Sequence, residues 1–205
     1  MRADELTHWK EYDYGHFFGC WDHEDPSWCD DLIDFYHDCN FIEKMSGTVF
    51  NSALGKGIID KTMKNSVDLS IPIQVRHPAV DHYRTLMQEI FYLYADKFPA
   101  SDQTSPWTMI EPFNIQHYPP GGGFFSWHTE RASGSHPAVY RHLVFMTYLN
   151  TVEEGGETEF YHQQVKIKPI KGRTLVWPSD WTYRHRGVVA PKEEKWIATG
   201  WTDFQ

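Results

Sequence analysis

Residues 195–204 read KWIATGWTDF, and they close a series of short β-rich runs in the second half of the chain. The earlier runs are MIEPFNIQHY (109–118), HLVFMTYLN (142–150), QVKIKPI (164–170) and RTLVWP (173–178). Turn-forming words such as PPGGG, EEGGE and IKGR stand between them. Apolar and polar residues that alternate between Gly-rich turns predict antiparallel strands, seven or eight of them after residue 107.

The first half of the chain carries two helical patterns. Ser27 precedes WCDDLIDFYHDCN and is the predicted N-cap of one helix. A second helix is predicted over residues 78–97, where Pro78 suits the first turn and apolar residues recur every three to four positions. Helices followed by a series of strands predict an α+β fold, a double-stranded β-helix (jelly roll) of two antiparallel sheets with the N-terminal helices packed on one outer face.

Length and composition favour a single domain over residues 1–205. We expect residues 1–106 to supply a helical N-terminal wrapping and the first strands, and residues 107–203 to form the core. The sequence has no apolar run of 18 residues, and its N-terminus is too polar for a secretory leader. These features predict a soluble, cytoplasmic protein with no membrane partner. Three cysteines in the first 40 residues are expected to be reduced thiols.

The net charge of −9 is unevenly distributed. Residues 1–40 hold eleven acidic residues against two basic ones, whereas residues 161–205 hold eight basic residues against four acidic ones. An acidic chain argues against nucleic acid as a partner, because binding to phosphates needs a basic surface. A locally basic second half suits a small dianionic ligand. The sequence does not indicate an oligomeric state.

The residue types that carry chemistry are His128, Glu130 and His185. Side chains two positions apart on a strand point to the same face, so His128 and Glu130 are predicted to face one metal from a strand. We expect His185 to reach the same metal from the partner sheet. Two histidines and one carboxylate form the facial triad of non-heme Fe(II) oxygenases, which leaves three coordination positions open.

The surrounding sequence resembles the prolyl 4-hydroxylase branch of the Fe(II)/2-oxoglutarate-dependent dioxygenases over roughly residues 107–203. Three stretches carry the resemblance: YLNTVEEGGETEF (148–160), IKPIKGRTLVWP (167–178) and HRGVVAPKEEKWIATGW (185–201). The resemblance implies that His128, Glu130 and His185 hold iron. It also implies that Lys195, ten residues after the distal histidine, pairs with the far carboxylate of 2-oxoglutarate.

Further roles are implied by position in the same resemblance. Tyr118 resembles the tyrosine that reaches the cosubstrate carboxylate, and Thr158 is expected to line the same pocket. Arg141 and Trp201 correspond to residues on the substrate side. The sequence differs from the family pattern at Glu130, where these hydroxylases mostly have Asp, and at Phe125, where a tyrosine is common. Tyr118 also stands one residue farther from the first histidine than is usual.

The implied activity is hydroxylation of an aliphatic carbon, with a peptidyl prolyl residue as the leading substrate. Fe(II), 2-oxoglutarate and O2 are the implied cofactor and cosubstrates, succinate and CO2 the coproducts, and ascorbate a candidate reductant. The alternative substrates are a free amino acid or another protein side chain. Two other classes stay open: a non-catalytic jelly-roll binding module, and a zinc hydrolase in which His117 or His142 supplies a further ligand.

Overall fold

The computed structural model describes residues 3–51, 53–131 and 137–205. It contains two α-helices, α1 (Trp28–Asp38) and α2 (Pro78–Lys97), and the predicted bounds of α2 are confirmed at both ends. Ser27 precedes α1, but its side chain makes no capping hydrogen bond, so the predicted cap is wrong. The backbone of Ser27 is itself helical, whereas a capping residue needs an extended backbone to reach the amides of the first turn.

Strands make up most of the remaining regular structure. In the first half they are β1 (Trp9–Glu11), β2 (Gly19–His23), β3 (Lys44–Ser46), β4 (Val49–Asn51), β5 (Lys56–Ile58), β6 (Lys64–Asn65) and β7 (Val67–Ile71). In the second half they are β8 (Trp107–Thr108), β9 (Phe113–Tyr118), β10 (Gly123–Phe124), β11 (Arg141–Tyr148), β12 (Thr158–Phe160), β13 (Val165–Ile167), β14 (Arg173–Pro178), β15 (His185–Gly187) and β16 (Lys195–Phe204). Each predicted run contains a strand. The described part of the second half has nine strands instead of seven or eight, because β8 and β10 are only two residues long.

These strands form one large sheet and one small sheet, with antiparallel pairing throughout. The large sheet has the order β1-β2-β14-β11-β16-β9-β7-β3, and β8 pairs with the end of β16. The small sheet has the order β13-β12-β15. Two further antiparallel pairs lie outside both sheets: the β4–β5 hairpin, and β6 with β10 from the other half of the chain. Two antiparallel sheets with helices in the first half agree with the predicted fold class.

Strand β11 shows how the layers are held together. Its side chains alternate between two cores, as the period of two in a strand requires. Leu143 and Phe145 belong to the core that contains the buried faces of α1 and α2, while Val144 and Met146 belong to the core that reaches Phe160 of the small sheet. The helices therefore pack on the outer face of the large sheet, and its inner face is directed toward the small sheet.

The first half of the chain contributes strands to the large sheet as well as the two helices. Strands β1 and β2 form one edge of this sheet, and β7 and β3 form the other. The central strands β14, β11, β16 and β9 come from the second half. The edges of the predicted core are thus covered by the N-terminal strands, which removes unpaired backbone groups from the central strands.

Two further features bear on the sequence predictions. Neither of the described helices has the length and apolar character that crossing a membrane requires. All three cysteines are buried free thiols, which agrees with their predicted reduced state.

Close packing between neighbouring strands on the outer face of the large sheet gives a test of the fold. A Cβ atom added at Gly200 would lie 2.5 Å from the ring of the fully buried Phe145. We expect Gly200→Ala to lower the free energy of unfolding by about 1–3 kcal/mol, because a packed core cannot take the extra atom without strain. Urea denaturation measures this change.

The matched control is Gly57→Ala in the β4–β5 hairpin. There the nearest atom would be 3.6 Å away, on Thr48, which is an ordinary contact. This variant should stay within about 0.5 kcal/mol of the parent. Equal unfolding midpoints for the two variants would contradict the packing described for β16.

Candidate metal centre

His128 and His185 lie directly opposite each other in an antiparallel bridge. The amide of His128 donates to the carbonyl of His185 at 3.0 Å, and the amide of His185 donates to the carbonyl of His128 at 2.9 Å. The prediction that His185 comes from the partner sheet is therefore wrong, because His128 extends the small sheet at β15. His128 is an isolated bridge residue and not part of a regular strand. Cross-strand neighbours lie about 5 Å apart, so the pairing alone brings the two imidazoles together.

The backbone also orients both rings. Nδ1 of His128 lies 2.9 Å from the carbonyl oxygen of Ser126, and Nδ1 of His185 lies 2.9 Å from that of Tyr183. A carbonyl oxygen can only accept, so each Nδ1 carries a hydrogen. In the neutral ring this leaves the lone pair on Nε2, which is the arrangement of metal-ligating histidines. In both histidines, the hydrogen bond from Nδ1 to the carbonyl two residues earlier leaves Nε2 free to bind a metal.

Glu130 completes the group. Its Oε1 lies 3.3 Å from Nε2 of His128 and 3.5 Å from Nε2 of His185. Within the described ranges, no other group of three His, Cys, Asp or Glu residues has its ligand atoms within 4.8 Å of one another. With both Nδ1 atoms protonated, three lone pairs face a common point. Such an arrangement needs a cation or added protons to be stable.

The surroundings lower the pKa of both Glu130 and His128. Burial alone would raise the pKa of Glu130, but hydrogen bonds and attraction from the two imidazoles hold that pKa well below its ordinary value. These hydrogen bonds need an added proton on Nε2, and a bound cation would take the place of that proton. Burial and the neighbouring His185 lower the pKa of His128. An ionised carboxylate beside a neutral imidazole is a suitable ligand pair for a divalent metal.

Aromatic rings hold the imidazoles in place. Phe124 stacks on His128 with ring centroids 3.7 Å apart, and Trp177 meets His185 edge-on at 5.2 Å. Because these rings fill the space around the imidazoles, the ligands have little freedom to turn away from the common point.

The outer oxygen of Glu130 has its own partners. Trp201 Nε1 donates to Oε2 at 3.0 Å, and Arg141 Nη1 lies 3.5 Å from the same atom. Arg141 is in turn fixed by Glu111, which accepts from Nε at 2.7 Å and from Nη2 at 2.8 Å. The two residues predicted for the substrate side therefore contact the predicted carboxylate ligand directly.

Lys195 is buried behind the cavity. Its Nζ lies 5.6 Å from the ring centre of Tyr118 and 5.5 Å from that of Tyr148. Burial lowers the pKa of Lys195 to about 8, and the more distant Glu157 opposes this shift only in part. Among the described residues none accepts a hydrogen bond from this ammonium. A buried amine that lacks a partner is expected to pair with an anionic ligand.

Tyr118 and Thr158 lie beside this lysine. Tyr118 faces Lys195 across the β9–β16 pairing, and its hydroxyl donates to Oε1 of Gln116 at 2.6 Å. Burial, with the nearby Asp68 and Glu130 carboxylates, raises the pKa of Tyr118 well above its ordinary value, so it stays a neutral donor. The hydroxyl oxygens of Thr158 and Tyr148 lie 2.7 Å apart, and that of Tyr148 also lies 3.0 Å from the carbonyl oxygen of Ile167. Because Tyr148 has one hydroxyl hydrogen, it donates to one of these two acceptors at a time. When it donates to Thr158, the hydroxyl hydrogen of Thr158 is left with only a 3.9 Å contact to the sulfur of Met146 and can serve a ligand.

A cavity of about 740 Å³ connects these side chains. Of the eight residues predicted for the site, only Lys195 is absent from its lining; the others are Tyr118, His128, Glu130, Arg141, Thr158, His185 and Trp201. Sequence reasoning missed a polar chain on the same wall, in which Gln116 donates to Asp68 and Asp68 pairs with the buried Lys64 at 2.6 Å. The alternation of FNIQHY places Gln116 on the face of Tyr118, and that signal was available.

Neither His117 nor His142 is placed to supply the further ligand that the zinc hydrolase alternative requires. His117 contacts Glu194 and stacks on Trp196, while His142 contacts the carbonyl of Ser101. Neither belongs to the group formed by His128, Glu130 and His185.

The convergence of three ligand atoms predicts the effect of removing one. His185→Ala should raise the dissociation constant for Fe(II) by more than about 100-fold, because two ligands cannot replace three. Anaerobic equilibrium dialysis measures this constant. His117→Ala is the matched control and should bind like the parent. Equal Fe(II) affinity in the His185→Ala variant and the parent would rule out the triad.

Comparison with known proteins finds a family whose model matches the part of the chain that carries these residues. Residues 113–203 match the model of the 2OG-Fe(II) oxygenase superfamily. "Probable prolyl 4-hydroxylase 9" of Arabidopsis thaliana is 34% identical over 118 residues, covering 44% of this chain and 40% of that protein. Prolyl 4-hydroxylase subunit alpha-3 of Mus musculus is 28% identical over 93 residues, covering 39% and 17%. The matched part thus spans less than half the length of these relatives.

Solved structures extend the likeness to nearly the whole chain. The viral collagen prolyl hydroxylase of Paramecium Bursaria Chlorella virus-1, in its 2OG complex, has a TM-score of 0.65 at 20% identity and covers 93% of this chain and 98% of its own. A prolyl hydroxylase from Trichoplax adhaerens has a TM-score of 0.71 at 16% identity, with coverages of 98% and 87%. At these identities the likeness is one of fold, and it confirms the double-stranded β-helix. Residues 113–203 are therefore similar to the 2OG-Fe(II) oxygenase superfamily, and the chain resembles the prolyl hydroxylases within it.

Proposed function

We propose that this protein is a 2-oxoglutarate-dependent Fe(II) dioxygenase that hydroxylates a peptidyl prolyl residue. One observation carries the proposal: His128, Glu130 and His185 point three ligand atoms at one place, and Lys195, which is buried and has no hydrogen-bond partner among the described residues, lies behind the same cavity. Neither the converging ligand atoms nor the buried ammonium is accounted for by the packing of apolar side chains. A ligand-free carboxylate–imidazole group and a desolvated ammonium both cost stability unless ligands bind them.

The donor set fits Fe(II). Two neutral imidazoles and one carboxylate leave three positions of an octahedral ion open, and the described residues near the site offer no thiolate that would favour a closed zinc site. In this proposal His128, Glu130 and His185 are the metal ligands. The Nδ1–carbonyl contacts keep the Nε2 atoms aimed at the metal whether or not it is bound.

The pocket fits 2-oxoglutarate. Lys195 would pair with the carboxylate that lies away from the metal, and the hydroxyls of Tyr118 and Thr158 would donate to it. For this, Tyr118 must turn its hydrogen away from Gln116, a rotation about one bond. Thr158 can donate to the cosubstrate when Tyr148 supplies the hydrogen in their shared bond instead of donating to the carbonyl of Ile167.

When Fe(II), 2-oxoglutarate and O2 are bound, oxidative decarboxylation to succinate and CO2 supplies one oxygen atom for the target carbon. The protein's part is to hold the ligands, orient the cosubstrate and exclude water. Phe124 and Trp177 shield the imidazoles, and the burial of Lys195 strengthens its attraction for an anion. Ascorbate as a reductant is part of the proposal.

Several observations support a peptidyl prolyl substrate. The curated relatives are named prolyl 4-hydroxylases, and the Trichoplax adhaerens enzyme is in complex with a peptide fragment of the hypoxia inducible factor oxygen degradation domain. Arg141 and Trp201 line the cavity, as the proposed substrate-side role requires. A free amino acid or another protein side chain is the alternative substrate, because loop changes alone redirect such a site.

The single domain over residues 1–205 also belongs to this proposal. Strands from both halves of the chain share the large sheet, which supports it. The cytoplasmic location stays a prediction, as does the absence of nucleic acid partners.

The activity is tested by succinate formation. Anaerobically Fe(II)-loaded protein, exposed to air with 2-oxoglutarate, should form succinate faster when a proline-rich peptide is added, and mass spectrometry should find the peptide 16 Da heavier, the mass of one oxygen atom. Slow succinate formation that the peptide leaves unchanged would reject the prolyl substrate and retain the chemistry. No succinate, with neither Fe(II) nor 2-oxoglutarate bound, would favour the non-catalytic binding module.

The depressed pKa of Lys195 gives a pH test. The ammonium is charged below about pH 8 and loses its proton above it, so its attraction for the dianion is present at low pH and lost as the pH rises. The dissociation constant for 2-oxoglutarate, measured with Mn(II) in place of iron, should be level below pH 8. Above pH 8 it should rise by up to about tenfold per pH unit.

Lys195→Arg is the matched variant, because guanidinium stays charged throughout this range. In this variant the dissociation constant for 2-oxoglutarate should not change above pH 8, even if binding is weaker at every pH. If the constant rose above pH 8 as steeply as in the parent, the titrating group would be one other than Lys195.

A further inference from the structure

The carboxylate of Glu130 has two oxygens in different surroundings. Oε1 is directed at the two imidazoles, and Oε2 is directed at Trp201 and Arg141. The backbone carbonyl of Glu130 is held as well, since it accepts from Arg141 Nη1 at 3.1 Å. Both ends of this residue are therefore fixed by the same guanidinium.

Arg141 has little capacity left for another ligand. Three of its nitrogens already donate to Glu111 or Glu130, and its guanidinium lies 3.5 Å from the ring centre of Trp201. Trp201 has one N–H group, and Glu130 accepts it. The hydrogen-bonding groups of both residues thus serve the carboxylate, which leaves only ring and edge surface for a substrate.

Glu111 fixes the arginine from behind. Its two oxygens accept from Nε and Nη2 of Arg141 in the bidentate geometry that gives such pairs their directional strength. Glu111 and Arg141 are both largely buried, and the fully buried Asp203 lies opposite Arg141 across the β11–β16 pairing. The position of the guanidinium is therefore set by the large sheet, whereas the histidines are set by the small sheet.

A glutamate needs such a device more than an aspartate does. Its additional methylene adds a rotatable bond, so its carboxylate can turn, shift or bind a metal through both oxygens. A hydrogen bond to Oε2 removes that freedom, because Oε2 cannot approach the metal while Trp201 holds it.

We propose that Trp201 and Arg141, the latter held by Glu111, are positioning residues that fix the outer oxygen of Glu130, so that this carboxylate presents only Oε1 to the metal. The proposal rests on the proposed function, because it takes Glu130 as a metal ligand. The same contacts explain how this chain uses Glu where the resembling hydroxylases mostly have Asp.

Trp201→Phe tests the role, because it removes the N–H group and keeps an aromatic ring. Anaerobic dialysis should show Fe(II) bound about 10- to 100-fold more weakly than in the parent. The visible spectrum of the Co(II)-loaded variant should also change, because release of Oε2 alters the coordination number. Substitution of a residue that only lines the cavity would change neither the Fe(II) affinity nor the Co(II) spectrum.

Trp107→Phe is the matched control, since the buried side-chain N–H group of Trp107 has no hydrogen-bond partner in the described part of the chain and the residue lies in β8 at the end of the large sheet. It should keep the Fe(II) affinity and the Co(II) spectrum of the parent. Glu130→Asp is the complementary variant. An aspartate cannot reach both the imidazoles and Trp201, so Glu130→Asp should also bind Fe(II) more weakly, and adding Trp201→Phe should then change the affinity less than twofold.

Parental Fe(II) affinity and an unchanged Co(II) spectrum in Trp201→Phe would overturn this inference and leave the proposed function standing. A raised KM for the peptide alone, with Fe(II) affinity unchanged, would also overturn it and assign Trp201 to the substrate. If the parent itself bound no Fe(II), the proposed function would fail first and this inference with it.

Discussion

The site depends on the backbone pairing of His128 with His185. Two hydrogen bonds place these residues opposite each other, and each ring is then fixed by the carbonyl two positions upstream. Fifty-seven residues separate the two histidines along the chain. The backbone pairing with β15 in the small sheet brings the two residues side by side in space. Both Nε2 atoms then point to one place without any change of side-chain conformation. Any change that broke the pairing would disperse the ligands without altering one of them.

The electrostatics of the site follow from this arrangement. Burial works against every charged group in it, yet Glu130 stays ionised through the imidazoles, and Lys195 has a depressed pKa with no partner among the described residues. Around a single cavity thus lie the His128–Glu130–His185 group, which is suited to a cation, and Lys195, which is suited to an anion. A metal ion and a dicarboxylate satisfy both at once, and their binding should stabilise the folded state. The large sheet supplies Lys195, Tyr118, Arg141 and Trp201, so the proposed cosubstrate partners and the contacts of the Glu130 carboxylate come from one sheet and the imidazoles from the other.

Local sequence patterns predicted much of this molecule. The bounds of α2, the strand runs after residue 107 and the grouping of His128, Glu130 and His185 follow from periodicity and residue chemistry. The sheet that holds His185 was predicted wrongly, because alternation gives the face of a strand and not its partner. The contacts of Trp201 and Arg141 with Glu130 depend on the register between β11 and β16, which no local pattern encodes. Lys64 and Asp68 enter the cavity from a segment of short, irregular strands, and nothing in that segment marks them as part of a site.

The proposed function requires one cavity to bind a metal and 2-oxoglutarate together. Calorimetric titration of 2-oxoglutarate into the anaerobic protein, with and without Mn(II), measures this coupling. We expect one equivalent to bind in the presence of metal and binding to be at least about 100-fold weaker in its absence, because the keto acid would gain both a metal and Lys195. Equal affinity with and without Mn(II), or no binding in either case, would contradict it.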